Sequence, residues 1–169
     1  MMQLTVPTLA WERQIQAFRR EYLASGESMD GGASLRKYES TEAWLSQIPD
    51  LTSQYIFVRE EDRKMVGIIQ IRQRFNDYLK TYAGHIGYSV LPSERRKGYA
   101  TQMLSLALEE CRRLGLLDVL VCCIEENEGS RRTILKCGGK FEKKVFEPDM
   151  QVWIERYWIH LEPEMETEA

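Results

Sequence analysis

A chain of 169 residues is long enough for one domain with a full core and hardly long enough for two. Its 43% hydrophobic and 29% charged residues make an ordinary globular balance, and a net charge of −3 recommends neither nucleic acid nor an anionic membrane surface as a partner. No apolar run approaches the roughly 18 residues that a membrane span needs, and the start has no basic region followed by an apolar stretch, so the expected location is the cytoplasm.

In chain order, Leu4 to Val6 reads as a short strand stopped by Pro7. Ala10 to Ser25 reads as a helix with Trp11, Ile15, Phe18, Tyr22 and Leu23 at helical spacing, ended by Gly26. A Gly/Ser/Asp loop leads to Thr41, an expected N-cap for a short helix through Gln47 that turns Trp44 and Leu45 inward. Gln54 to Arg59 and Met65 to Arg72 read as a hairpin, and Thr81 to Val90 as a third meander strand. That strand carries Gly84 and Gly87, and a glycine in a strand often marks a bulge or a close backbone approach.

Gly98 to Leu114 carries the clearest helical pattern, with Ala100, Met103, Leu104, Ala107, Leu108, Cys111 and Leu114 on one face. Val119 to Ile124 is a nearly all-apolar run, as expected of a strand buried on both faces. Asn127 to Lys136 reads as a second, shorter helix. Lys140 to Phe146 and Gln151 to Leu161 read as a closing hairpin. The order implies an α+β fold with a mixed, mostly antiparallel sheet flanked by helices. Residues 1–161 form a single domain in this scheme, and 162–169 an acidic tail.

Cys111, Cys122, Cys123 and Cys137 form no CxxC pair and read as buried small hydrophobes, with neither a disulfide framework nor a metal site expected. The segment with chemical character is Pro92-Ser93-Glu94-Arg95-Arg96-Lys97-Gly98-Tyr99-Ala100. Pro92 ends a strand and Gly98 opens a helix. The first N–H groups of a helix lack internal partners, and several of them at the positive end of the helix dipole make a site for a phosphate or diphosphate. Gly98 lets the backbone approach such a ligand, and Arg95, Arg96 and Lys97 add positive charge. The loop is neither a Walker loop nor a dinucleotide fingerprint. Its plainer alternative is a basic loop entering a core helix.

Arg95-Arg96-Lys97-Gly98-Tyr99-Ala100 resembles the acyl-CoA motif of the GNAT superfamily of N-acetyltransferases, Gln/Arg-x-x-Gly-x-Gly/Ala. The longer stretch from Gly84 to Ala100 is similar to that of a bacterial group of predicted GNAT acetyltransferases sharing GHIGYS…PSER.KGYA. The resemblance implies a strand before the loop that splays from its neighbour into a V holding the pantetheine arm of acetyl-CoA. Tyr88, Ser89 and Val90 would bond that arm, and an N–H near Val90 would polarise the thioester carbonyl. Amides from Arg95, Arg96, Lys97, Gly98, Tyr99 and Ala100 would hold the diphosphate. Asn127 would bond the arm or fix the splay, with a helix N-cap as the alternative. Ser130 would face the cofactor.

The resemblance breaks at Ile134, where many members carry a tyrosine that protonates the departing thiolate. A thiol of pKa near 8.5 leaves tolerably well without it. The acceptor amine needs a base, directly or through water. His85 and Glu125 are the candidates, with Glu126 beside them. A structural histidine and a solvated strand-end glutamate are their alternatives. Tyr157 reads as core, His160 lies beside it on the last strand, and Arg72 and Arg74 read as surface cations or as groups for an acidic acceptor. With no Cys/His pair, direct transfer in a ternary complex is expected rather than a thioester enzyme. The acceptor is a small-molecule or peptide amine, bound by the first two helices and the last hairpin. A homodimer is possible by resemblance. A CoA-binding GNAT-fold module with little turnover, acting as a sensor, is the competing function, and Ile134 motivates it.

Overall fold

The computed structural model describes residues 1–165; the last four residues of the expected acidic tail lie outside it. Apart from three short 3-10 turns, the elements follow in the order β1 (Met2–Thr5), α1 (Glu12–Ser25), α2 (Thr41–Ser46), β2 (Thr52–Arg59), β3 (Lys64–Arg72), a π-helical turn (Leu79–Ala83), β4 (Ile86–Val90), α3 (Tyr99–Arg113), β5 (Asp118–Ile124), α4 (Glu128–Lys136), β6 (Lys140–Glu147) and β7 (Val152–His160). The strands form one sheet in the order β1-β2-β3-β4-β5-β7-β6. All neighbours are antiparallel except β4 and β5. This is the α+β arrangement that the element order implied.

Helices cover both faces. On one, α3 turns Met103, Leu104, Ala107, Leu108 and Cys111 onto Phe57, Ile69, Ile71, Val119 and Val121. On the other, Ile15, Phe18 and Tyr22 of α1 and Trp44 of α2 pack on Ile56 and Ile68. Because β3 sends Ile69 and Ile71 to one cluster and Ile68 to the other, its run from Met65 to Ile71 is apolar but for Gln70. Leu23, placed on the apolar face by periodicity, is exposed.

Three expected boundaries move. The cap of α2 is Ser40, whose hydroxyl accepts from the Ala43 amide at 3.2 Å, while Thr41 is the first helical residue and is buried. Helix α3 starts at Tyr99, because Gly98 is left-handed (φ +80). The third meander strand begins at Ile86 and not at Thr81. Its expected first half is the π-helical turn, closed by Gly84 at φ +75, ψ −165, with the Gly84 amide on the Leu79 carbonyl. A Cβ at Gly84 would overlap the Leu120 carbonyl, so the glycine marks a close approach to β5.

All four cysteines are free. Among the described residues no helix is long and apolar enough to cross a membrane, and no group of three or more His, Cys, Asp or Glu is gathered to hold a metal.

Ile134 is fully buried against α3 and the sheet, and a Cβ at Gly139 would overlap it. Ile134→Ala is expected to cost about 2–5 kcal/mol, and Ile134→Tyr about 1–3 kcal/mol by overpacking, in urea unfolding.

Candidate active site

The parallel strands β4 and β5 share a single register pair, Ile86↔Val121, supplemented by a bridge from Gly84 to Val121. Beyond it they diverge. The Leu91 amide donates to the Val66 carbonyl and the Arg72 amide to the His85 carbonyl, so the odd residues of β4 face β3. Tyr88 and Val90 therefore turn their backbone groups toward β5. By the same alternation, Glu125 bonds Trp153 across to β7, and Cys122 and Ile124 face back toward β4. The result is a V lined by main-chain N–H and C=O groups. The Val90 carbonyl is taken by the Tyr22 hydroxyl at 2.6 Å, and the Ile124 carbonyl by the Asn127 amide.

His85 sits at the apex. Its amide donates to the Leu120 carbonyl, and its Nδ1 accepts the Leu120 amide at 2.9 Å. The ring stacks on Phe75 and is only 7% exposed. Burial, with the nearby Arg72 cation, lowers its pKa to about 4. A neutral ring that accepts at Nδ1 carries its proton on Nε2, so it has no spare lone pair for an incoming ammonium. This geometry departs from what a general base requires: the imidazole stands in for a strand carbonyl.

At the wide end of the V, the loop after β4 turns into α3. No backbone N–H from Arg95 to Thr101 has a hydrogen-bond partner among the described residues, and Gly98 supplies no side-chain cap. Left-handed Arg96 (φ +62) and Gly98 (φ +80) alternate with right-handed or extended neighbours, a geometry that turns successive amides to one side. Space around a Cβ at Gly98 is open, so the requirement for glycine within the chain is its positive φ. Arg95 pairs with Glu27 and Lys97 with Glu94, whereas Arg96 pairs with nothing among the described residues. Glu94, passed over by motif reasoning, is 5% exposed and receives Arg59, Lys64 and Lys97 at 2.9, 2.8 and 2.7 Å. Those cations hold its carboxyl down at about 2. It anchors the loop and neutralises part of it, and its sole sequence signal was being an acid among basic residues.

Across the V, Asn127 caps α4 by accepting the Ser130 amide at 3.1 Å, in keeping with its capping alternative. The Ser130 hydroxyl lies 2.7 Å from that of Tyr88, so the two sides of the V are joined by a hydroxyl pair. Burial pushes the Tyr88 phenol up and keeps it protonated. Ser89 turns to the opposite face and bonds the Asp30 backbone. Glu125 is half-buried and its carboxylate is taken by Lys144 at 2.6 Å. Tyr157 packs in the core, and His160 is exposed beside Asp118. Cys122 and Cys123 have thiols pushed up to about 12 by burial, so neither is a thiolate nucleophile at neutral pH.

The chain matches a family profile described as an acetyltransferase (GNAT) domain over residues 9–140. It belongs to the GNAT acetyltransferases. Solved structures share the fold at low identity. The Microcin C7 self-immunity acetyltransferase MccE, determined with acetyl-CoA and AMP, is 18% identical over 95% of this chain and 92% of its own, with a TM-score of 0.71. The ribosomal L7/L12 α-N-protein acetyltransferase RimL, determined with coenzyme A, is 13% identical over 95% and 94%, with a TM-score of 0.73. A chimera of the Vibrio cholerae spermidine N-acetyltransferase SpeG and hSSAT is 16% identical over 94% and 95%, with a TM-score of 0.66. A search of curated protein sequences gives no match.

His85 couples the apex to pH. Its folded pKa lies below its unfolded value of 6.5, so its contribution is fully present above pH 6.5 and is lost as pH falls toward 4. The loss should be on the order of 3 kcal/mol. Urea unfolding of wild type at pH 7 and pH 4.5, set against His85→Asn, should show a wild-type advantage at the higher pH that shrinks at the lower one.

Proposed function

We propose that the chain is an acetyl-CoA-dependent N-acetyltransferase that moves an acetyl group to an amine of a small molecule or peptide, by direct transfer in a ternary complex. The run of unpartnered amides from Arg95 to Thr101, opening onto the mouth of the V, carries this reading. Donors converging at a helix N-terminus fit a diphosphate, and the Arg96 guanidinium, which has no ion-pair partner among the described residues, adds a charge-assisted contact. The fit extends along the V. The Tyr88 N–H and C=O and the Val90 N–H face β5 beyond the single Ile86↔Val121 register pair, where an amide-bearing arm would find partners. Asn127 retains its amide donors for the same arm, and Ser130 stands across from it.

Acetyl-CoA supplies an activated thioester. The chain's part is to hold it in line and to place an N–H of β4 against its carbonyl oxygen, where negative charge grows as the amine attacks. Ile134 is buried and cannot donate a proton. The Tyr88–Ser130 hydroxyl pair is the donor available at the V for the leaving sulfur. We assign His85 to holding the apex and Glu125 to the rim, where its pairing with Lys144 leaves it to steer an acceptor rather than to act as base. The names of the similar structures include a protein α-amine and spermidine as acceptors, and both are amines.

Gly98→Asp places a carboxylate among the amides and strains a backbone held at φ +80. Acetyl-CoA affinity measured by calorimetry should fall by about 100-fold or more while circular dichroism stays native. Unchanged affinity in a folded variant would put the diphosphate elsewhere. Thiol release over an amine panel separates the enzyme from a CoA-binding module, since binding with no turnover would favour the module.

A further inference from the structure

The segment between α1 and α2 is held residue by residue. The Asp30 amide donates to Ser89 Oγ and Ser89 Oγ donates to the Asp30 carbonyl, both at 2.8 Å. The Gly31 carbonyl accepts from Gln54 Nε2 at 2.9 Å, the Gly32 carbonyl from Trp44 Nε1 at 2.9 Å and the Ala33 carbonyl from Gln47 Nε2 at 2.8 Å. Gly31 has φ +73, and a Cβ there would overlap the Gly87 carbonyl. The loop therefore lies directly on β4 with no side chain between.

The polar group that none of these bonds uses is the Asp30 carboxylate. Asp30 is an exposed residue, and its carboxylate makes no hydrogen bond or ion pair with the described residues. Its charge acts on Arg72 of β3, Tyr78 beside the π-helical turn and Tyr88 of β4. Arg72 also lines a cavity of about 480 Å³ with Gln70, Arg74, Phe75 and Asn76. Helices α3 and α4 cover the other face of β4, where the amide cradle opens. With that face covered, the face on which the Asp30 segment rests against Ser89 and Gly87 is the one left for an amine.

We propose that Asp30 holds the acceptor's ammonium on this face and takes its proton before transfer. The inference rests on the acetyltransferase reading of the V. In the step, R–NH3+ gives a proton to the carboxylate. The neutral nitrogen forms the C–N bond as the C–S bond breaks, and the nitrogen sheds a second proton. One proton ends on the coenzyme's sulfur and one reaches solvent. Surrounding protein raises the Asp30 pKa above the usual carboxylate value, with Arg72 opposing, which suits a proton acceptor. A raised folded pKa means that the folded state holds this proton more tightly. The contribution to stability is present below the unfolded pKa and is lost as pH rises through the folded one, so ionised Asp30 is a cost at pH 7.

Asp30→Asn separates the roles. Wild type and variant are compared for acetyl-CoA affinity by calorimetry, thermal midpoint at pH 7, and thiol release with tyramine, spermidine and an alanine-leading tripeptide. The expectation is unchanged affinity, an equal or higher midpoint, and kcat/KM lower by about 100-fold or more, with the acidic limb of the wild-type pH profile gone. Wild-type turnover in the variant, or a parallel fall in affinity and midpoint, overturns the assignment. If wild type binds acetyl-CoA but turns over none of the three amines, the carboxyl-carbon NMR titration of Asp30 decides. A midpoint above the usual carboxylate range that falls when ethylammonium is added supports the role; an ordinary or unresponsive midpoint overturns it. Wild type that binds no acetyl-CoA instead removes the underlying reading of the V, and this inference with it.

Discussion

Two neighbouring parallel strands normally satisfy each other's backbone groups along their length, and an open stretch between them leaves donors and acceptors with only water or a ligand as partners. Strands β4 and β5 are held in that condition by specific bonds. His85 fastens the closed end by inserting an imidazole nitrogen where a carbonyl would otherwise accept the Leu120 amide. Tyr22 withdraws the Val90 carbonyl, and the turn into α4 withdraws that of Ile124. Beyond the Ile86↔Val121 pair the two strands diverge, and the stretch between them is lined by N–H and C=O groups.

Charge is handled with the same economy at the mouth. A loop with three consecutive cations would repel itself and wander. Glu94, nearly buried, gathers Lys97 together with Arg59 and Lys64 from the β2–β3 hairpin, and Glu27 takes Arg95. The positive potential left over is concentrated on Arg96 and on the helix N-terminus, where amides and dipole already point. On the proposed reading, an anion here would be held more by backbone direction than by the count of basic side chains.

The two faces of β4 are treated differently. Tyr88 goes to the side of α3 and α4 and meets Ser130. Ser89 goes to the side of α1 and α2 and clamps the Asp30 segment. A period of two along a single strand thus sends Tyr88 and Ser89 to opposite faces of the sheet. The helices on each face then need only hold their loops in place.

Much of this was legible in the residues alone. The apolar periodicity of α3, the apolar run of β5, the glycine-punctuated loop and its amide cradle depend on local spacing and local φ preferences, and such signals survive without knowledge of neighbours. The third meander strand was overextended because Gly84 answers to a carbonyl on β5, a contact more than thirty residues away in sequence. Ser40 and Thr41 are both competent caps, and the choice fell to Ser40 once Thr41 was drawn inward toward Gln16. The chain by itself determined which segments form helices and strands and where a glycine-punctuated loop enters α3, because those follow from hydrogen-bond supply and side-chain pattern within a few residues. The tertiary structure alone decided that His85 bonds the Leu120 backbone at the apex of the V and that the Asp30 carboxylate has no partner among the described residues, because whether a titratable group has a free lone pair depends on what distant backbone comes to rest against it.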